Sequence, residues 1–196
     1  MTGDLIPLYL AGPDVFLPNA WEVGRRKIEL CRQYGFEGLF PLDETNDPEE
    51  IFRLDCLRMH RARIGLFNLT PFRGVSADAG TLFELGYMHA LGKRPLFGYT
   101  NNLSLYRQRV LSAIENGKIP PDGLVIENHG LHDNLMIAKA ISKSSGNIVP
   151  CSEDSSLNET EALPAFRAFE ECLRLLQERA AGGQFEERID HLRVGG

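Results

Sequence analysis

Four carboxylates and a tyrosine are the residues of this chain best placed to do chemistry: Asp14, Asp55, Asp78, Glu84 and Tyr9. Asp14 closes the turn Gly12-Pro13-Asp14 after a short apolar run. Glu84 lies near the start of a helical pattern among Leu82, Phe83 and Leu85, and Asp78 stands six positions ahead of it. A partly desolvated carboxylate kept ionised by helix N–H groups can attack an electrophilic carbon, and a second carboxylate nearby can accept hydrogen bonds from ligand hydroxyls. Each residue also has a structural alternative. Glu84 could merely complement the helix dipole, Asp78 could be an N-cap, Asp55 an ordinary surface residue inside its helix, and Tyr9 a core residue.

The elements that must position these residues alternate in type. Leu5 to Ala11 reads as a buried strand ended by Gly12-Pro13-Asp14. A helical pattern opens at Pro18-Asn19-Ala20 and stops at Gly35. Phe36 to Leu42 is a second strand, followed by a polar loop and a helix from Pro48 to Ala62. Ile64 to Leu69 is a third strand and Thr70 to Ala79 a loop able to cover a site. A helix over Thr81 to Leu91 ends at Gly92, and Pro95 to Tyr99 is a fourth strand. Beyond it, Leu124 to Glu127 is a candidate fifth strand, Asp133 to Ser142 a helix capped by Asp133, and Asn147 to Pro150 a short edge. Leu163 to Ala181 is an amphipathic helix assigned to packing or oligomer contact. The expected fold is α/β: a doubly wound, mostly parallel sheet of about five strands with helices on both faces. Residues 1–181 are expected to form one domain, with 182–196 a mobile polar tail.

In such a sheet ligands bind outside the carboxyl ends of the strands, where strand order reverses. If the first strand lies between the second and third, that crevice collects Gly12, Pro13 and Asp14, the stretch Asn68 to Asp78, and the start of the Thr81 helix. The usual phosphate-cradling glycine motifs are absent, which counts against P-loop and dinucleotide-binding readings.

Composition narrows the class. The chain has 196 residues, a net charge of −6, 43% hydrophobic and 24% charged residues. One domain with a sizeable core fits that length. The acidic balance gives no footprint for binding a nucleic-acid polymer or an anionic membrane. No run reaches membrane-spanning length, and the start carries no signal-peptide pattern, so a cytoplasmic protein is expected. Cys31, Cys56, Cys151 and Cys172 form no CxxC pair and read as reduced thiols. His129 and His132 beside Asp133 have no second cluster to complete a ligand set, so no metal is expected.

Several segments together resemble the nucleoside 2-deoxyribosyltransferase family: Leu8-Tyr9-Leu10-Ala11-Gly12-Pro13, Phe40-Pro41-Leu42-Asp43, Asn68-Leu69-Thr70-Pro71-Phe72-Arg73-Gly74, and above all Asp78-Ala79-Gly80-Thr81-Leu82-Phe83-Glu84-Leu85-Gly86-Tyr87, with Asn134-Leu135-Met136 further on. The resemblance implies a flavodoxin-like fold and transfer of 2-deoxyribose between nucleobases through a covalent glycosyl-glutamate, without metal or organic cofactor. It makes Glu84 the nucleophile at C1′, Asp55 the acid near the departing base, and Tyr9 the residue that orients Glu84. Asp78 falls where the family holds the sugar hydroxyls. Gly12, Pro13, Asp14, Asp43 and Asn68 join the expected substrate-binding set. Asn134 is implied to reach into a neighbouring subunit's site, so a homo-oligomer would complete each site. Implied partners are 2′-deoxynucleosides and free nucleobases. Thr45 stands where some members read the base with glutamine, leaving purine or pyrimidine preference open. Two other readings stay in play: an N-glycosidase hydrolysing 2′-deoxynucleoside 5′-monophosphates, and a non-catalytic nucleotide-sensing module.

Overall fold

The computed structural model describes residues 4–151 and 166–183. Its strands are β1 (Ile6–Ala11), β2 (Phe36–Leu39), β3 (Ile64–Asn68), β4 (Leu96–Thr100) and β5 (Ile148–Pro150). They form one parallel sheet in the order β2-β1-β3-β4-β5. The helices are α1 (Ala20–Gln33), α2 (Pro48–Arg61), α3 (Ala79–Ala90), α4 (Tyr106–Glu115), α5 (Leu135–Lys143) and α6 (Phe166–Ala181). This is the flavodoxin-like, doubly wound arrangement expected, with the strand order reversing between β1 and β3.

The two-residue period of the strands sorts side chains to two cores. Leu8 and Leu10 of β1, with Ile64 and Leu66 of β3, pack on one face against Cys31 of α1 and Phe169, Cys172, Leu173 and Leu176 of α6. Tyr9 and Ala11, with Phe67, turn to the other face and meet Met59 of α2, Leu85 and Met88 of α3, and Ile137 and Ile141 of α5. Burial on both faces explains why the strands read as unbroken apolar runs. It also decides that the Tyr9 side chain lies on the α2–α3 side. The packing role expected for α6 is what its described residues show; Leu163, and residues 184–196 of the expected tail, lie outside the described residues.

Three expectations need correction. Leu124 to Glu127 is not a strand: β5 already occupies the edge beyond β4, and Leu124 and Val125 stand exposed after Pro120-Pro121. Asp133 does not cap α5. Asn134 does, its Oδ1 accepting from the Met136 N–H at 3.0 Å, while Asp133 turns back to the loop after β3. Helix α4 was not anticipated, because Leu105 at its N-cap offers no capping oxygen; Gln108 Oε1 instead accepts from the Leu105 N–H at 2.9 Å.

Among the described residues no helix is long and apolar enough to cross a membrane. The four cysteines are unpaired thiols, with Cys31, Cys151 and Cys172 buried.

Candidate active site

Helix α3 starts two residues earlier than its sequence pattern suggests, because Asp78 is its N-cap. The Asp78 Oδ2 accepts from the Thr81 N–H at 3.0 Å and from the Thr81 hydroxyl at 3.1 Å. That start puts Glu84 in the second turn rather than the first. Thr81, Leu85 and Met88 form the buried stripe of α3 at i, i+4 and i+7, and Glu84 occupies the i+3 position of the same stripe. A carboxylate is thereby carried on an apolar face towards the sheet. There it meets Tyr9 of β1, whose phenol donates to Glu84 Oε1 at 2.7 Å.

Burial governs the electrostatics of this pair. Desolvation pushes the Glu84 carboxyl up to about 7; the Tyr9 hydrogen bond works against that rise, while the neighbouring charges of Asp55 and Asp78 add to it. The helix N–H groups expected to keep Glu84 ionised are not what it contacts; the Tyr9 hydroxyl takes that part. The Tyr9 phenol is itself held protonated, chiefly by burial and then by the Glu84 charge, so it stays a hydrogen-bond donor throughout the neutral range.

Asp55 enters from α2, on the inward stripe that continues through Met59 and Ala62. Burial raises its pKa, and the hydrogen bond from Arg58 opposes the rise. Arg58 Nη1 donates to Asp55 Oδ1 at 2.8 Å and to Asp43 Oδ2 at 2.8 Å, and its Nη2 donates to Asp43 Oδ1. Asp43, from the loop after β2, thus contacts Arg58 directly. It joins the group at one remove from Glu84.

The residues after β1 and β3 pack tightly on one another. Gly12 runs so close to β3 that a Cβ there would sit 2.6 Å from Asn68 Cβ and 2.7 Å from Asp14 Oδ2. Pro13 opens a 3-10 turn, Pro13–Phe16. Asn68 is fully buried; its Nδ2 donates to Asp14 Oδ2 at 3.0 Å, and its Oδ1 accepts from the Thr70 hydroxyl at 2.6 Å. Asp14 points inward rather than into the crevice, its Oδ2 lying 2.7 Å from Lys27 Nζ. Lys27 in turn donates to the Tyr99 hydroxyl at 2.7 Å. Asp14 and Asn68 therefore brace the turn that carries Gly12 and Pro13.

The structure thus brings Glu84, Tyr9, Asp55 and Asp78 into one neighbourhood, with Asp43 behind Arg58. Asn134 is not drawn into it within the chain: its Nδ2 donates to Glu127 Oε1 at 2.7 Å while its Oδ1 caps α5.

Some contributors escaped sequence reasoning. Arg58 follows Asp55 by three positions on a helix, a spacing shared with any surface ion pair, so only the fold separates the two. Lys27, by type and spacing, is one more cation on an amphipathic helix. Phe16 and Phe72 stack across the loops after β1 and β3 with ring centroids 5.2 Å apart, and the Arg73 guanidinium lies 4.8 Å from the Phe72 centroid. Nothing in their spacing announces that pairing.

Known proteins resemble this chain in sequence and fold. The family model for nucleoside 2-deoxyribosyltransferase matches residues 8–136. An uncharacterized protein of Schizosaccharomyces pombe is 34% identical over 166 residues, spanning 71% of this chain and 78% of its own. A 2-desoxiribosyltransferase from Leishmania mexicana superposes with a TM-score of 0.60 at 26% identity, over 87% of this chain and 96% of that one. A conserved protein from Enterococcus faecalis V583 shares the fold at 18% identity, with a TM-score of 0.53 over 88% of this chain and 99% of its own. From the family match and the extent of the Schizosaccharomyces pombe alignment, this chain belongs to the nucleoside 2-deoxyribosyltransferase family.

Proposed function

We propose that this protein transfers 2-deoxyribose from one nucleobase to another, with Glu84 as the nucleophile. The observation that carries the reading is the 2.7 Å hydrogen bond from Tyr9 to a half-buried Glu84 flanked by two further carboxylates. In the first half-reaction the ionised Glu84 attacks C1′ of a 2′-deoxynucleoside. The C1′–N bond breaks, its electron pair leaves with the base, and an ester forms between C1′ and the carboxylate. The transition state carries oxocarbenium character, which an anionic carboxylate in a dry setting stabilises. Asp55, with its proton affinity raised by burial, supplies a proton to the departing base and recovers it from the incoming one. A second base then attacks C1′ from the opposite side, so two inversions give net retention.

Asp78 supports a preference for unphosphorylated nucleosides. Its Oδ2 is occupied by the α3 cap, while its Oδ1 has no partner among the described residues and can accept from a 5′-hydroxyl. A phosphate dianion in that place would be repelled. The test is chromatographic: purified protein and a 2′-deoxynucleoside, with and without a different free base. A new deoxynucleoside that appears only with the second base supports transfer. Base release at the same rate with or without acceptor would replace this reading with hydrolysis.

A further inference from the structure

Beside the Glu84 crevice, between the loop after β3 and helix α4, lies a cavity of about 750 Å3, within the size range of small-ligand sites. In a chain of net charge −6, its lining holds three cationic side chains, Arg73, Arg109 and Lys118, and no carboxylate. The amides of Asn102, Gln108 and Asn116 add donors and acceptors along the same wall. We propose that this cavity binds a phosphomonoester carried on a hydrogen-bonding organic body, either a nucleoside 5′-phosphate or a sugar phosphate, at a site that shares no residue with the Glu84, Tyr9, Asp55 and Asp78 group.

The cations divide the work. Arg109 is a fixed charge, 9% exposed, its guanidinium donating to the carbonyls of Val75 at 2.8 Å, Ser104 at 2.6 Å and His132 at 2.6 Å. Asp133 lies 3.6 Å from it, but that carboxylate also accepts from the Ser76 hydroxyl and from the N–H groups of Ala77 and Asn134, so its charge is shared among several donors. Arg73 and Lys118 are exposed and have no acidic partner among the described residues. One buried cation held in place and two exposed ones at the rim, Arg73 lying over the Phe72 ring, suit a dianionic phosphate. The amides suit the polar groups of the ester's body, which inorganic phosphate lacks.

Calorimetric titration of the full chain tests this with three probes: inorganic phosphate, 2-deoxyribose 5-phosphate and deoxyadenosine 5′-phosphate. At least one ester should bind more tightly than inorganic phosphate, and whichever binds identifies the body. Lys118→Glu should weaken that binding by about tenfold or more, with circular dichroism and deoxyribosyl transfer unchanged. Asn116→Asp gives a second, milder charge change in the same direction. Glu84→Gln should bind the ester as the wild type does. The proposal is overturned if no ester binds, if inorganic phosphate binds as tightly, or if Lys118→Glu leaves ester binding intact, since that last result places the ester outside this cavity.

Discussion

In the proposed mechanism the Tyr9–Glu84 pair carries most of the chemistry, and its behaviour with pH follows from burial. Attack needs the carboxylate, so transfer should fall on the acid side with a midpoint near 7, where burial places the Glu84 carboxyl. Tyr9→Phe removes the hydrogen bond that favours the ionised form. The acid limb should then move to higher pH, with kcat/KM at pH 7 down by about tenfold; an unmoved limb would separate Tyr9 from Glu84. Glu84→Gln should lower transfer by on the order of a thousandfold or more while keeping the fold. Asp78→Ser should narrow the gap between a deoxynucleoside and its 5′-phosphate as donors. Equal discrimination in that variant would remove Asp78 from the recognition of the 5′ end.

At the level of elements, the turn after β1 depends on a buried ion pair. Lys27 on α1 is 3% exposed and Asp14 1%, and Asp14 Oδ1 is buried without a partner among the described residues. Removing only the cation leaves a charge stranded in the interior, so Lys27→Met should destabilise the protein by about 3–5 kcal/mol. Adding Asp14→Asn should restore much of that loss. Chemical denaturation of the single and double variants decides: additive losses would mean that the two groups act independently. This pair also shows where sequence reading stops. Asp14 stood beside Gly12 and Pro13 in the candidate crevice, and its type and position were right for binding. Only the placement of α1, fourteen residues long, reveals that Lys27 turns it inward.

For the whole molecule, the alternation of strands and helices and a parallel sheet covered on both faces were legible, because parallel strands buried on both faces leave long apolar runs and turns rich in Gly, Pro and Asp. The Asp78–Glu84 spacing was legible too, yet the phase of α3 was not. Moving the helix start to Ala79 takes Glu84 from the dipole of the first turn into a buried stripe, and its proton affinity changes direction accordingly. Helix α4 and the cavity beside it stayed hidden because Leu105 provides no capping signal. The half-buried, desolvated Glu84 also affects global stability. Its carboxyl ionises near 7 in the fold, against an ordinary value of 4.5, so between those values the folded chain holds the extra proton. Stability from this site is therefore full below about 4.5 and declines as pH rises through about 7. Relative to wild type, Glu84→Gln should gain on the order of 1–3 kcal/mol between pH 4.5 and pH 8, read from denaturant midpoints at the two pH values.

A nucleophilic Glu84 becomes covalently attached to the sugar, and mass spectrometry detects that attachment. Wild-type protein is mixed with a 2′-deoxynucleoside without acceptor base, quenched in acid and digested. One deoxyribosyl group is expected on the peptide containing Glu84, lost when a second base is added before the quench and absent in Glu84→Gln. Turnover by the wild type with no adduct at Glu84, or with the adduct on another residue, would contradict it.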